Sequence, residues 1–436
     1  MDKNKKNQLF PDVLTTKKKK TFLLEKSKTF CMLPWVHMYV NPNGDVLPCC
    51  IANHTTPIGN IRGRAVKDVW TDAPYKVLRT SMINGVKTEH CTNCYQHEES
   101  GGGSMRTWAN QLFGKHIDVL DNMGYDGSMP TLDWKYFDVR FSNICNFKCR
   151  TCNDHFSSSW VEEDNKHNVK EGSNRITMLQ NASSDAYPLM PQILPMMPNM
   201  EIINFAGGEP LITPEHYEVL EYLIEQKSTQ MQLKYSSNLS GLKYKSKDII
   251  ELWKHFPDIM LMASLDSTGA RAEYIRSGTI WANQVANLKK IKEVLPHIKL
   301  TFSAVISIFN VLTITDTLDE LRELGVFNIE SDDMSPPTLY RLTGPAPLNI
   351  KVLDAETKQL AIDKLQTWLD NNLMVRDAIR SNIKDVIDYM KEDWTHLMPE
   401  TKKEIDRVDA RRGESFIKTF PELERFYNLC GEDNVK

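Results

Sequence analysis

The period of the apolar positions changes along the chain. From 133 to 335, short runs rich in β-branched and aromatic residues alternate with segments whose apolar residues recur at helical spacing. The runs predict strands at 135–142, 200–206, 230–236, 259–265, 298–305 and 326–331, with helices at 214–227, 246–254, 281–294 and 315–323. Strand–helix alternation builds βαβ units on a parallel sheet. Six such units give an α/β domain, an incomplete (β/α)6 barrel. Residues 153–198 form an insertion between the first two strands, helical in part.

The flanks have different patterns. Residues 29–98 carry short apolar runs, "WVHMYV" and "DVLPCC", on either side of Asn41-Pro42-Asn43-Gly44, which predicts a hairpin. A helical stretch near 65–82 and the sequence "CTNC" follow. Residues 99–132 read as a linker opened by the flexible "ESGGGS". Residues 336–436 read as a helical C-terminal extension whose apolar spacing suits packing against the barrel. Residues 1–28 hold nine lysines against three acids and read as a solvated basic tail.

Composition narrows the function classes. The chain has 436 residues, 41% hydrophobic and 25% charged, with a formal net charge of −4. That is globular, and long enough for two or three domains. No apolar run approaches the ~20 residues of a membrane span, and the N-terminus lacks the apolar core of a secretory signal. A cytoplasmic location is therefore expected. Acids outnumber Lys plus Arg, 57 to 53, which does not suit a nucleic-acid partner. Eight of the nine cysteines fall between 31 and 152, and only Cys430 is remote. In a reducing compartment such clusters read as metal ligands.

Three of them, Cys145, Cys149 and Cys152, sit in "FSNICNFKCRTCN" directly after the first barrel strand. Active sites of parallel α/β folds collect at the carboxyl ends of strands. Three thiolates on a four-iron cubane leave one iron open to a small molecule. Further polar groups recur at the next strand ends. "FAGGEP" offers Gly207 and Gly208 for close backbone approach and Glu209 as an acceptor for an ammonium. "YSSNLSG" offers Ser236, Ser237 and Asn238, suited to a ribose or a carboxylate. "ASLDS" offers Ser264 and Asp266, and Arg276 follows as a candidate carboxylate partner. Val305 and Ser307 follow the fifth strand as candidate adenine contacts. Taken singly, each polar group reads as a turn or cap residue. Their recurrence at successive strand ends favours a cofactor site.

The C-x3-C-x2-C motif after a first strand resembles the signature of radical S-adenosylmethionine (radical SAM) enzymes. That resemblance implies a partial barrel of the radical SAM type and a 4Fe–4S cluster on Cys145, Cys149 and Cys152. It implies that the open iron binds the amino and carboxylate groups of SAM. The reduced cluster would then yield a 5′-deoxyadenosyl radical that takes hydrogen from a substrate. "FAGGEP" resembles the family's GGE element, with Glu209 on the methionine amino group. Ser264 and Asp266 resemble its S-x-D element. Thr151 departs from the pattern, because an aromatic residue is common there. An electron donor such as flavodoxin or ferredoxin is implied, and no residue is assigned to the hydrogen transfer itself.

Cys31, Cys49, Cys91 and Cys94 form a second set. Four thiolates suit zinc or a fully ligated 4Fe–4S cluster. The Cys31–Gly44–Cys49 spacing is similar to the opening of the SPASM and twitch modules of radical SAM enzymes, the shorter twitch type fitting better. Here the module precedes the barrel, and Cys50 could exchange for Cys49. The resemblance implies modification of a peptide or protein. One alternative is a small molecule such as a sugar or cofactor precursor. A rival from another class is a non-enzymatic zinc-binding interaction protein. Against it stand the missing fourth ligand near 145–152 and the GGEP element.

Overall fold

Strand burial follows the period-2 rule where one face meets the core. Gln232–Ser237 and Ile259–Ser264 bury every second residue, whereas Tyr136–Val139 is buried on both faces. The computed structural model describes residues 16–99, 102–169, 186–330 and 336–431. These divide into two units.

The first unit comprises Met1–Asn143, Thr177–Gly207 and Thr213–Leu233. It holds β1 (His37–Val40), β2 (Asp45–Leu47), β3 (Gly59–Asn60), β4 (Tyr136–Val139) and β5 (Ile202–Phe205), in the order β5-β4-β1-β2-β3. β1 pairs parallel with β4, and β4 with β5, while β2 and β3 are antiparallel. The expected hairpin is present between β1 and β2. Gly44 has φ 90° there, and its N–H donates to Asn41 O at 2.8 Å, a conformation that favours glycine. The helical stretch near 65–82 divides into Val66–Trp70 and Ala73–Ile83, because Asp72 caps the second helix and Pro74 opens it.

Two flanking expectations change in this unit. Residues 99–132, read as a linker, contain helix Met105–Phe113, which starts at a Ser104/Thr107 capping box and buries Ala109 and Phe113 completely. The basic tail is ordered from Lys17: helix Lys17–Glu25 buries Leu23, and Lys20 pairs with Asp118 at 2.8 Å and Asp121 at 2.7 Å. Residues 1–15 of that tail and 170–185 of the insertion lie outside the described residues.

The second unit comprises Ile144–Ile176, Gly208–Ile212 and Lys234–Lys436. It holds most of β6 (Gln232–Ser237), the small hairpin β7 (Lys243–Tyr244) and β8 (Lys247–Asp248), β9 (Ile259–Ser264), β10 (Lys299–Ile306) and β11 (Thr338–Arg341). Their order is β11-β10-β9-β6, with β9–β10 and β10–β11 parallel. Helices Ile249–Trp253, Trp281–Val294 and Ile314–Glu323 fall between strands as the periodicity predicts, as does Pro214–Glu225 of the first unit. The sixth strand does not. Val326, Phe327 and Ile329 are buried without strand pairing, Phe327 against Phe302 at 5.1 Å. β11 takes the place beside β10 instead, so strand structure reaches into the segment read as a helical extension. Beyond it run helices Ala355–Asn371, Asp377–Met390 and Met398–Arg412. Among the described residues, no helix is long and apolar enough to cross a membrane.

Candidate functional site

The three-cysteine loop in the second unit is built from its backbone outward. The Ser158 and Ser159 hydroxyls donate to Cys145 O at 3.2 and 2.8 Å, and Trp160 Nε1 donates to Cys149 O at 2.9 Å. On another side, Lys148 N donates to Ser277 O at 2.9 Å and Arg150 N to Ile275 O at 2.8 Å. Gly278 permits this approach. It has φ 112°, and a Cβ there would lie 2.8 Å from Asn146 O and 2.7 Å from the Phe147 ring.

The three thiols are half-buried and electrostatically coupled. Burial is the main cause that pushes each one up, Cys152 to about 12, and Cys149 and Cys152 raise Cys145 further. Arg276 opposes this at Cys149, with Nη1 donating to the sulfur at 3.5 Å. A bound cation deprotonates such thiols outright.

Glu209 follows Gly207 and Gly208, whose φ values are 84° and 52°. It is 2% exposed. Oε1 accepts from Ser237 Oγ at 2.7 Å and Leu211 N at 3.0 Å, and Oε2 accepts from Asn238 N at 2.7 Å. Burial raises its pKa, and these three donors counteract the rise. Its own N–H donates to Ile144 O at 2.8 Å, which ties the GGE turn to the residue before Cys145. Strand alternation decides between the serines of β6. Ser237 faces Glu209, and Ser236 points to the other side of the strand. Asn238 Nδ2 donates to Asn146 Oδ1 at 3.0 Å.

At the end of β9, Asp266 is fully buried. Its Oδ2 accepts from Arg276 Nε at 2.8 Å, and its Oδ1 accepts from Val305 N at 2.7 Å. Arg276, read as a partner for a ligand carboxylate, thus already pairs with a carboxylate of its own chain, and that pairing raises its pKa against the cost of burial. Ser264 lies on the half-exposed face of β9. Ser307, read as an adenine contact, is fully buried with its hydroxyl accepting from Phe309 N at 3.3 Å, so it serves a turn. Asn310 was not foreseen. It donates to Asp266 O at 2.8 Å and Val305 O at 3.0 Å, and accepts from Ser307 N at 2.9 Å. A lone asparagine after an apolar run carries no sequence signal for such a role.

The second cysteine set converges in the first unit. Cys31, Cys49, Cys91 and Cys94 line one small cavity, together with apolar residues such as Leu33 and Met82. Burial is the leading cause that raises all four thiols, and Cys31 and Cys49 each feel Cys91. Cys50 lies elsewhere, next to Asp138 and Arg140, and burial raises it to about 12. Of the two adjacent cysteines, Cys49 is the one that lines this cavity. Among the described residues, no three His, Cys, Asp or Glu groups are close enough to enclose a single metal ion. Four soft thiols around one cavity match the donor set of an iron–sulfur cluster.

Comparison with known proteins bears on this unit. Residues 31–95 match the SPASM family, described as an iron–sulfur cluster-binding domain. No curated protein matches the chain in sequence. Among solved structures, the chain is similar to anSMEcpe with bound AdoMet, at 13% identity and a TM-score of 0.37 over 55% of this chain. It is also similar to TYW1 with a lysine-pyruvate adduct (12%, TM-score 0.28, 55% of this chain and 72% of that one). Spore photoproduct lyase with AdoMet and a dinucleoside spore photoproduct gives 11% identity and a TM-score of 0.33 over 53% and 72% of the two chains. The match to anSMEcpe spans 60% of that protein's own length.

Proposed function

We propose that the chain is a radical SAM enzyme with an auxiliary iron–sulfur cluster, acting on a peptide or protein. One observation carries the reading. The Glu209 N–H bond to Ile144 O at 2.8 Å joins a buried carboxylate to the start of a three-cysteine loop within a single unit. Cys145, Cys149 and Cys152 would hold a 4Fe–4S cluster, and Cys31, Cys49, Cys91 and Cys94 a second one. The first cluster, with SAM bound, would supply reductive cleavage of SAM to a 5′-deoxyadenosyl radical for hydrogen abstraction from the substrate.

The chain's own groups do the rest. Glu209, fixed by three donors, presents a buried carboxylate suited to accept from an ammonium. Arg276 places positive charge beside the Cys149 sulfur, which favours its thiolate. Gly207 and Gly208 supply the positive φ values of the turn that leads into Glu209. The SPASM match at 31–95 supports the auxiliary cluster, and modules of that kind in radical SAM enzymes commonly serve peptide modification. A flavodoxin or ferredoxin in a cytoplasmic setting would supply the electron.

The test is anaerobic reconstitution followed by iron and zinc analysis, EPR after reduction with and without SAM, and assay for 5′-deoxyadenosine. About eight irons per chain are expected, falling to about four when all three loop cysteines are replaced by Ala. A SAM-dependent EPR change should vanish in that variant. Zinc without iron would overturn the reading and leave the zinc-binding interaction protein.

A further inference from the structure

Two cationic residues of the cysteine loop are bound to acids outside it. Arg150 lies between Cys149 and Cys152, and its side chain is 2% exposed. Its Nη2 is 2.5 Å from Asp409 Oδ1 and 2.5 Å from Glu414 Oε2. Its guanidinium stacks 3.7 Å over the Tyr274 ring, and Nε donates to Tyr274 O at 3.3 Å. The Tyr274 hydroxyl donates to Asp409 Oδ1 at 2.7 Å, and Phe416 N donates to Asp409 Oδ2 at 2.7 Å. Lys148 pairs with Glu163, which also takes Arg412 Nη2 at 3.1 Å. Arg412 sits 4.7 Å over Trp160, the residue that donates to Cys149 O.

We infer that the C-terminal segment around helix Met398–Arg412 is a clamp that fixes the geometry of the Cys145–Cys152 loop. Asp409, Glu414 and Arg412 are its positioning residues. The inference rests on the radical SAM reading of that loop. The physical case is the cost of breaking it. A desolvated guanidinium over an aromatic face cannot lose both of its carboxylates without leaving buried charge uncompensated. Its backbone N–H, meanwhile, is fixed on Ile275 O. The loop backbone between two cysteines is therefore held from the C-terminal segment. Partners outside the ligand shell commonly set how tightly a metal group is held.

The test uses full-length Asp409→Asn/Glu414→Gln, which removes the charges with little change in shape. Leu365→Ala, a core truncation in helix Ala355–Asn371, controls for general destabilisation. Iron per chain, the rate of iron loss to a chelator, and the EPR spectrum of the reduced protein with and without SAM are recorded. The double variant should lose about four irons roughly 10-fold faster than the parent, by the usual effect of outer partners, and its SAM-dependent EPR change should be altered. Leu365→Ala should match the parent in both readouts. A double variant equal to the parent, or a Leu365→Ala variant equally impaired, overturns the clamp alone. A parent whose iron does not depend on Cys145, Cys149 and Cys152 overturns the radical SAM reading, and the clamp with it.

Discussion

Arg276 and Asp266 form a buried ion pair, Nε to Oδ2 at 2.8 Å, and the same guanidinium donates to the Cys149 sulfur at 3.5 Å. One residue thus links the end of β9 to the cysteine loop. Replacing Arg276 by Met would leave Asp266 fully buried without its ion-pair partner. Breaking such a pair costs about 3–5 kcal/mol. Urea unfolding should show a loss of that order, and Asp266→Asn/Arg276→Met should recover part of it. Equal stability of parent and Arg276→Met would refute the coupling.

Glu209 gives a prediction about binding. A charge-assisted hydrogen bond is worth about 1.5–3 kcal/mol, so Glu209→Gln should weaken SAM binding about 10- to 100-fold. Equilibrium binding to the reconstituted protein measures this. Unchanged affinity would remove Glu209 from the ligand site and leave it as a buried brace for the β6 turn.

Cys49 and Cys50 separate cleanly. Cys49→Ser should cost about four irons per chain, while Cys50→Ser should keep them. The reverse result would mean that the cavity lined by Cys31, Cys49, Cys91 and Cys94 is not where the auxiliary cluster forms.

Acid should destabilise the fold through two buried histidines. Burial lowers His37 to about 4 and His216 to about 3. The unfolded chain gains a proton on each near pH 6.5, and the folded chain gains none until far lower. Stability is therefore complete above about pH 6.5 and declines as pH falls toward 4, by up to about 1.4 kcal/mol per pH unit for each histidine. Urea midpoints at pH 7 and pH 5 should differ less in His216→Leu than in the parent. An identical pH response would show that His216 does not contribute.

Local sequence places β4, β5, β6, β9 and β10, because periods of 2 and 3.6 are local properties of the chain. It also fixed the three-cysteine loop and the glycine turn before Glu209, since spacing and φ demand are written in neighbouring residues. Long-range packing settled the rest. It turned Cys49 toward the cavity lined by Cys31, Cys91 and Cys94, and Ser237 toward Glu209, because adjacent side chains point to opposite sides and only the packed neighbours say which side is inside. Arg276 went to Asp266, Asn310 to Asp266 and Val305, and Arg150 to Asp409 and Glu414. These pairings join positions from 5 to 264 residues apart, and no local pattern encodes them. β11 escaped notice for a related reason: "TLYR" is too short and too polar to announce a strand, and only the open edge of β10 makes it one.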